Sequence, residues 1–241
     1  MLGLNRHAHC QLMGLLGPLV ISASLACAEN WPGWRGPRGD GTSLEKEVPT
    51  RWSSTENVVW KTAVSGEGHS SPVVWNDRVF LTTGLPERQE RALLCFDRGT
   101  GGALWQQTVI QAPLEAKNGE NSYASATPVT DGEKIYVTFL DREEVVVAAY
   151  DFAGKQLWLA RPGRFQSQWG FSHTPRLFED KVIVGWAQQG AAGHQAGRRG
   201  ERHRQQGCLE DVRGGALRAF THRGGRLVSD LLLQREGGAL L

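Results

Sequence analysis

Cysteine is scarce in this chain. Its four residues, Cys10, Cys27, Cys95 and Cys208, are too few and too scattered for a disulfide framework or a Cys-x-x-Cys zinc site. Long apolar runs are missing too: beyond residue 28 nothing approaches the ~20 apolar residues that a membrane-spanning helix requires. Net charge is close to absent at +2, and it is unevenly spread. Residues 29–186 hold 17 Lys/Arg against 20 Asp/Glu, whereas residues 187–241 hold nine Arg, no Lys and five acids. The body is therefore mildly acidic, which excludes a basic nucleic-acid-binding domain. Helical periodicity is hard to find between residues 57 and 186. What the 241 residues do supply, at 40% apolar and 22% charged, is enough material for one or two folded domains.

The first 28 residues read as an address. Arg6, His7 and His9 precede an apolar stretch from Leu12 to Leu25, broken by Gly14, Gly17 and Pro18, and Ala26-Cys27-Ala28 closes it with small residues. A charged start, a short apolar run and an A-x-A end describe a secretory signal peptide over 1–28, so the protein is expected to be exported, periplasmic or secreted. Lipidation of Cys27 is the alternative reading of the same residues.

A long-period repeat follows. Ser71-Pro72-Val73-Val74-Trp75-Asn76-Asp77-Arg78-Val79-Phe80-Leu81 returns as Thr127-Pro128-Val129-Thr130-Asp131-Gly132-Glu133-Lys134-Ile135-Tyr136-Val137, 56 residues later. It returns again, 47 residues on, as Thr174-Pro175-Arg176-Leu177-Phe178-Glu179-Asp180-Lys181-Val182-Ile183-Val184. Each phrase is a short apolar run, an Asp-containing turn and a second run rich in β-branched residues, which is a hairpin signature. A second hairpin phrase, Cys95-Phe96-Asp97-Arg98-Gly99-Thr100-Gly101-Gly102-Ala103-Leu104-Trp105, matches Ala149-Tyr150-Asp151-Phe152-Ala153-Gly154-Lys155-Gln156-Leu157-Trp158. Two hairpins make a four-stranded unit, over about 72–109 and 128–161. Asn57-Val58-Val59-Trp60-Lys61 matches only the last strand of such a unit. Units of this size are propeller blades, whose small sheets bury both faces against their neighbours.

The Ala-x-Asp-x-x-x-Gly-x-x-x-Trp phrase resembles the tryptophan-docking motif of pyrroloquinoline-quinone (PQQ)-type β-propeller repeats. The opening Trp31-Pro32-Gly33-Trp34-Arg35-Gly36-Pro37-Arg38-Gly39-Asp40-Gly41 resembles that of exported bacterial proteins built from them. The resemblance covers about 31–186. It implies an all-β fold, a partial β-propeller of about two and a half four-stranded blades over 57–186, preceded by an extended segment over 29–56. Trp60, Asp97, Gly101, Trp105, Asp151, Gly154 and Trp158 are its blade residues. Trp covers the seam between blades, Asp accepts backbone hydrogen bonds in the turn, and Gly takes up positive φ.

After Trp186 the composition changes. Residues 187–241 contain no Trp, Tyr, Ile, Met, Pro or Lys but eleven Gly. The expectation is a disordered Arg/Gly-rich tail or a segment translated out of frame, and hence a truncated or frameshifted propeller.

Chemistry would sit where the loops before the innermost strands meet. Those loops carry Glu67, His69 and Ser70, then Asn121, Ser122 and Tyr123, then Trp169 and His173. They form a candidate ligand funnel, although the same residues also serve as ordinary strand-entry and capping groups. No ligand spacing supports a metal site. The resemblance also implies an alternative, a fragment of a periplasmic PQQ-dependent quinoprotein oxidoreductase. In many alcohol-oxidising members the quinone lies against a disulfide between adjacent Cys, and this sequence has none. No cofactor and no catalytic residue are therefore expected, PQQ entering only through the family resemblance. The leading expectation is an exported, noncatalytic scaffold binding a protein or small ligand at the propeller face, without nucleic acid. At the level of repeats it is similar to the propeller lipoproteins of the outer-membrane barrel-assembly machinery.

Overall fold

A computed structural model describes residues 28–186 except 47, and the backbone of three further strands within 205–232. The signal-peptide reading of 1–28, with Cys27, lies outside the described residues but for Ala28. The described fold is all-β. Strands β1 (Val73–Trp75), β2 (Arg78–Leu85), β3 (Glu90–Asp97) and β4 (Ala103–Gln111) form one antiparallel sheet. Strands β5 (Val129–Thr130), β6 (Lys134–Asp141), β7 (Glu144–Asp151) and β8 (Gln156–Arg164) repeat it. A third sheet begins with β9 (Arg176–Phe178) and β10 (Lys181–Trp186). These are the blades of an open, partial propeller, with the first strands β1, β5 and β9 side by side on its inner side.

The central blade shows why the sequence must fold this way. Strands β6 and β7 are buried along almost their whole length, so both faces need apolar residues. Period-two alternation divides them. Ile135, Val137 and Phe139 pack with Phe80, Leu93 and Cys95 of the first blade. Tyr136, Leu140, Val145 and Val147 turn the other way, onto Val182 and Val184 of the third. Cys95 is completely buried in the first of these seams, and burial pushes its thiol up to about 12.

A hydroxyl ladder ties one blade to the next. The Ser71 N–H donates to Thr127 Oγ1 (2.9 Å), and the Thr127 N–H donates to Thr174 Oγ1 (3.1 Å). Thr82 Oγ1 donates to the Ala126 carbonyl (3.1 Å), and the equivalent Thr138 Oγ1 to the His173 carbonyl (2.6 Å). The partners come from successive blades, so the hydroxyls before Pro128 and Pro175 each satisfy a backbone N–H that strand entry would otherwise leave unpaired.

Tryptophans close the outer side. Trp60 Nε1 donates to the Arg98 carbonyl (2.8 Å), and Trp105 Nε1 to the Phe152 carbonyl (3.1 Å), each on the Asp turn of the following blade. Asp97 Oδ1 accepts from the N–H and hydroxyl of Thr100, and Asp151 Oδ1 accepts from the N–H groups of Ala153 and Lys155. Gly101 (φ 71°) and Gly154 (φ 88°) sit beneath the indoles, where a Cβ would come within 2.4 Å of Trp60 and 3.0 Å of Trp105. Glycine is thus required twice over, for its dihedral and for its missing side chain. Trp158 occupies the same place in the second blade and packs on Tyr136 (6.0 Å between centroids). Its indole N–H has no hydrogen-bond partner among the described residues.

In 187–241, where composition predicts a tail, the backbone of β11 (Gln205–Val212), β12 (Ala216–Arg223) and β13 (Arg226–Leu232) is described, pairing in turn beyond β10. The physical reason is that the edge of β10 offers unpaired backbone groups on which a further strand can pair.

Candidate functional site

The loops 66–71, 121–125 and 168–173 meet at one end of the blades. Much of their polarity is spent on holding them there. Ser70 Oγ accepts from the Thr82 N–H (3.1 Å) and donates to the Thr82 carbonyl (3.2 Å). The His69 N–H donates to the Ala124 carbonyl and to Ser122 Oγ, at 3.1 Å each. Asn121 bridges the second and third loops: Nδ2 donates to the Trp169 carbonyl (2.6 Å), while Oδ1 accepts from Ser125 Oγ (2.5 Å) and the Ser122 N–H (2.9 Å). Glu67 pairs its backbone with Gly84, and its carboxylate stands 3.8 Å from Lys117 Nζ. That ammonium also lies 4.8 Å from the Tyr123 ring centroid, and burial raises the Tyr123 hydroxyl above its ordinary pKa.

Beneath Tyr123 lies a buried ion pair, Arg91 with Glu115, the guanidinium fully buried. Arg91 also donates to the carbonyls of Ala112 (2.8 Å) and Pro113 (3.3 Å), so one side chain of β3 pins the start of the loop that carries Asn121 and Tyr123. Burial outweighs the pull of Arg91 and pushes the Glu115 carboxyl upward.

On the inner side these loops border an open cleft of about 1000 Å³. Of the sequence candidates, His69, Asn121 and His173 line it, whereas Glu67, Ser70, Ser122, Tyr123 and Trp169 stand outside its lining. Trp169 is exposed, held only through its backbone, its carbonyl accepting from Asn121 and its N–H donating to Ser167 Oγ (3.0 Å). The wall also includes residues that the sequence did not single out as site candidates, among them Trp34, Arg35 and Arg38 of the extended opening and Arg176 of β9. The opening reaches the cleft because Trp31 pairs with Val74 of β1, and the Thr130 N–H of β5 donates to the Pro32 carbonyl (2.9 Å). Its Arg-Gly-Asp tripeptide is a turn, in which Asp40 Oδ1 accepts from the Thr42 N–H and hydroxyl and Arg38 pairs with Glu29.

His173 is half-buried between the rings of Phe165 (5.0 Å) and Phe171 (5.1 Å), with Nδ1 buried and unpartnered among the described residues. Burial lowers its pKa below the ordinary 6.5. The folded state thus resists the proton. This contribution to stability is whole above pH 6.5 and is lost as pH falls below it toward the folded value. Thermal melts of the wild type are expected to decline below pH 6.5 more steeply than those of His173→Gln, and parallel curves would exclude the effect.

The described residues contain no group of three His, Cys, Asp or Glu side chains able to hold a metal ion. Cys95 is sealed in a seam between blades and takes no part in the cleft wall. Among the described residues no helix is long and apolar enough to cross a membrane.

A family model described as outer membrane protein assembly factor BamB matches residues 48–115 and 89–228. No curated protein matches the chain. Among solved structures, BamB from Moraxella catarrhalis is 12% identical, over 73% of this chain and 55% of that one, with a TM-score of 0.44. A europium-containing methanol dehydrogenase is 18% identical, over 67% of this chain and 26% of that one, with a TM-score of 0.40. The chain thus spans just over half the length of the first and about a quarter of the second.

Proposed function

We propose a function from the premise that this chain belongs to the family of outer membrane protein assembly factor BamB, built of PQQ-like repeats: it is an exported, noncatalytic propeller scaffold that binds a protein or ligand at the face carrying the three loops. The observation that carries this reading is the use made of the loop polarity. Ser70, Ser122, Ser125 and Asn121 are committed to one another and to the backbone, so the face is a rigid surface presenting His69 and Trp169. Preorganised aromatic and polar side chains on a rigid frame are what recognition requires. PQQ and catalytic residues are outside this proposal.

The test places a photo-cross-linking residue at His69 or Trp169, and at Lys155 on the opposite face, in cells that export the protein. One discrete covalent partner from the first two positions and none from Lys155 is the expected result. Alcohol-dependent reduction of an electron-accepting dye by the purified protein supplied with PQQ and Ca²⁺ would overturn the reading in favour of a quinoprotein.

A further inference from the structure

The repeat makes Val74, Thr130 and Leu177 equivalent positions on β1, β5 and β9, paired respectively with Val79, Ile135 and Val182 of the next strand. In this antiparallel register, one residue back from the pair that closes the hairpin, the backbone N–H and C=O point away from the partner strand. Here that direction is the inner side of the propeller. Val74 uses both groups on Trp31, at 2.8 and 2.9 Å. Thr130 uses its N–H on the Pro32 carbonyl (2.9 Å). The opening then folds back, the Gly36 N–H closing a turn on the Gly33 carbonyl (2.9 Å), and does not reach β9. Among the described residues nothing pairs with Leu177 on that side. Among the described residues, two of the three equivalent edges thus carry an extended chain, and the third carries none.

The charged side chains of the wall around the open edge have one sign: they are Arg35, Arg38 and Arg176, and the wall contains no carboxylate. Arg38 is spent on Glu29 (2.5 Å). Arg35 lies over the Trp34 ring (4.9 Å), and among the described residues no carboxylate meets Arg35 or Arg176. At the other end of the same blades, a cleft of about 440 Å³ is lined by Asp131, Glu133, Glu179 and Asp180, with Lys134 and Lys181. These four carboxylates thus lie at one end, and the arginines that no carboxylate meets lie on the inner edge.

We infer that the inner edge of β9 docks an extended acidic peptide segment of a partner protein. The peptide backbone pairs with Leu177, its carboxylates face Arg35 and Arg176, and its alternate side chains meet Val129, Leu177 and Ile183 of the cleft. The inference rests on the scaffold reading and adds the chemistry of the partner. This chain's own segments fit the edge poorly, since 1–27 and 187–241 both carry more Arg than acid.

The experiment uses the full mature chain and a fluorescent heptapeptide of alternating Glu and Val, read by anisotropy. The expected result is saturable binding that weakens by about tenfold in Arg35→Glu/Arg176→Glu, and by a similar factor when alternate peptide nitrogens are methylated to block strand pairing. Hydrogen exchange at the Leu177 amide is expected to slow when the peptide binds. The proposal is overturned if the Glu peptide does not bind, if its Lys counterpart binds equally, or if the Arg reversal leaves affinity unchanged. It is also overturned if the Leu177 amide is already protected in the free chain, which would make a segment of this chain the occupant. A cross-linked partner at His69 without peptide binding would sink this inference alone and leave the scaffold reading standing.

Discussion

Trp105→Ala is expected to lower the stability of the folded chain by about 3 kcal/mol, the lower end of the range for large aromatic truncations because the indole is half-buried. Three things are lost at once: the packing on Phe80 (5.9 Å between centroids), the cover over Gly154, and the hydrogen bond to the Phe152 carbonyl. Trp105→Phe separates them. It keeps most of the area and removes only the N–H, at a cost of about 1 kcal/mol. The matching change Trp158→Phe should be neutral or slightly stabilising, because it removes a buried donor that has no partner among the described residues. Urea melts of the three variants check this, and equal losses from the two Phe variants would refute the docking account.

Breaking the Arg91–Glu115 pair is expected to cost as much or more. Glu115→Ala leaves a guanidinium buried with only two carbonyls for partners, and stranding a buried charge costs about 3–5 kcal/mol. The double variant Arg91→Met/Glu115→Leu should recover most of that loss, since apolar residues of similar size pay no desolvation penalty. The two differ in a further readout. Without Arg91 the carbonyls of Ala112 and Pro113 lose their donor, so amides of residues 112–125 should exchange faster in the double variant even where global stability returns. If stability returns and exchange over 112–125 is unchanged, Arg91 does not position the loop.

The blade architecture was legible because it is local and repeated. Ser71-Pro72, Thr127-Pro128 and Thr174-Pro175 lie at strand entries, and the two Asp-Gly-Trp phrases lie at outer hairpins, so spacing alone located strands β1 to β10. The strands from β11 to β13 were hidden because their sequences, in a segment rich in Arg and Gly, carry no period-two alternation. The candidate site was only partly legible. His69 and His173 reach the cleft because they lie within two residues of the hydroxyls of Ser71 and Thr174 at strand entry, which is a local matter, whereas Asn121 is placed by its bond to the Trp169 carbonyl. Arg35, Arg38 and Arg176 escaped notice, since nothing local says that the opening segment runs along the inner edges of β1 and β5. A charge count restricted to the inner strands would have found Arg176 alone.

By itself, then, the sequence determined the hairpins, their order and the residues that staple one blade to the next. Alternation, turn chemistry and a repeating Trp act over a few residues and need no knowledge of the rest of the chain. The tertiary structure alone decided which polar groups remain free. Arg91 finds Glu115 24 residues away, Asn121 finds the Trp169 carbonyl 48 residues away, and among the described residues nothing pairs with the inner edge at Leu177 because the opening turns back at Gly36. Whether a charge or a backbone group is spent or available depends on what packs against it, and in a propeller those neighbours come from the next repeat.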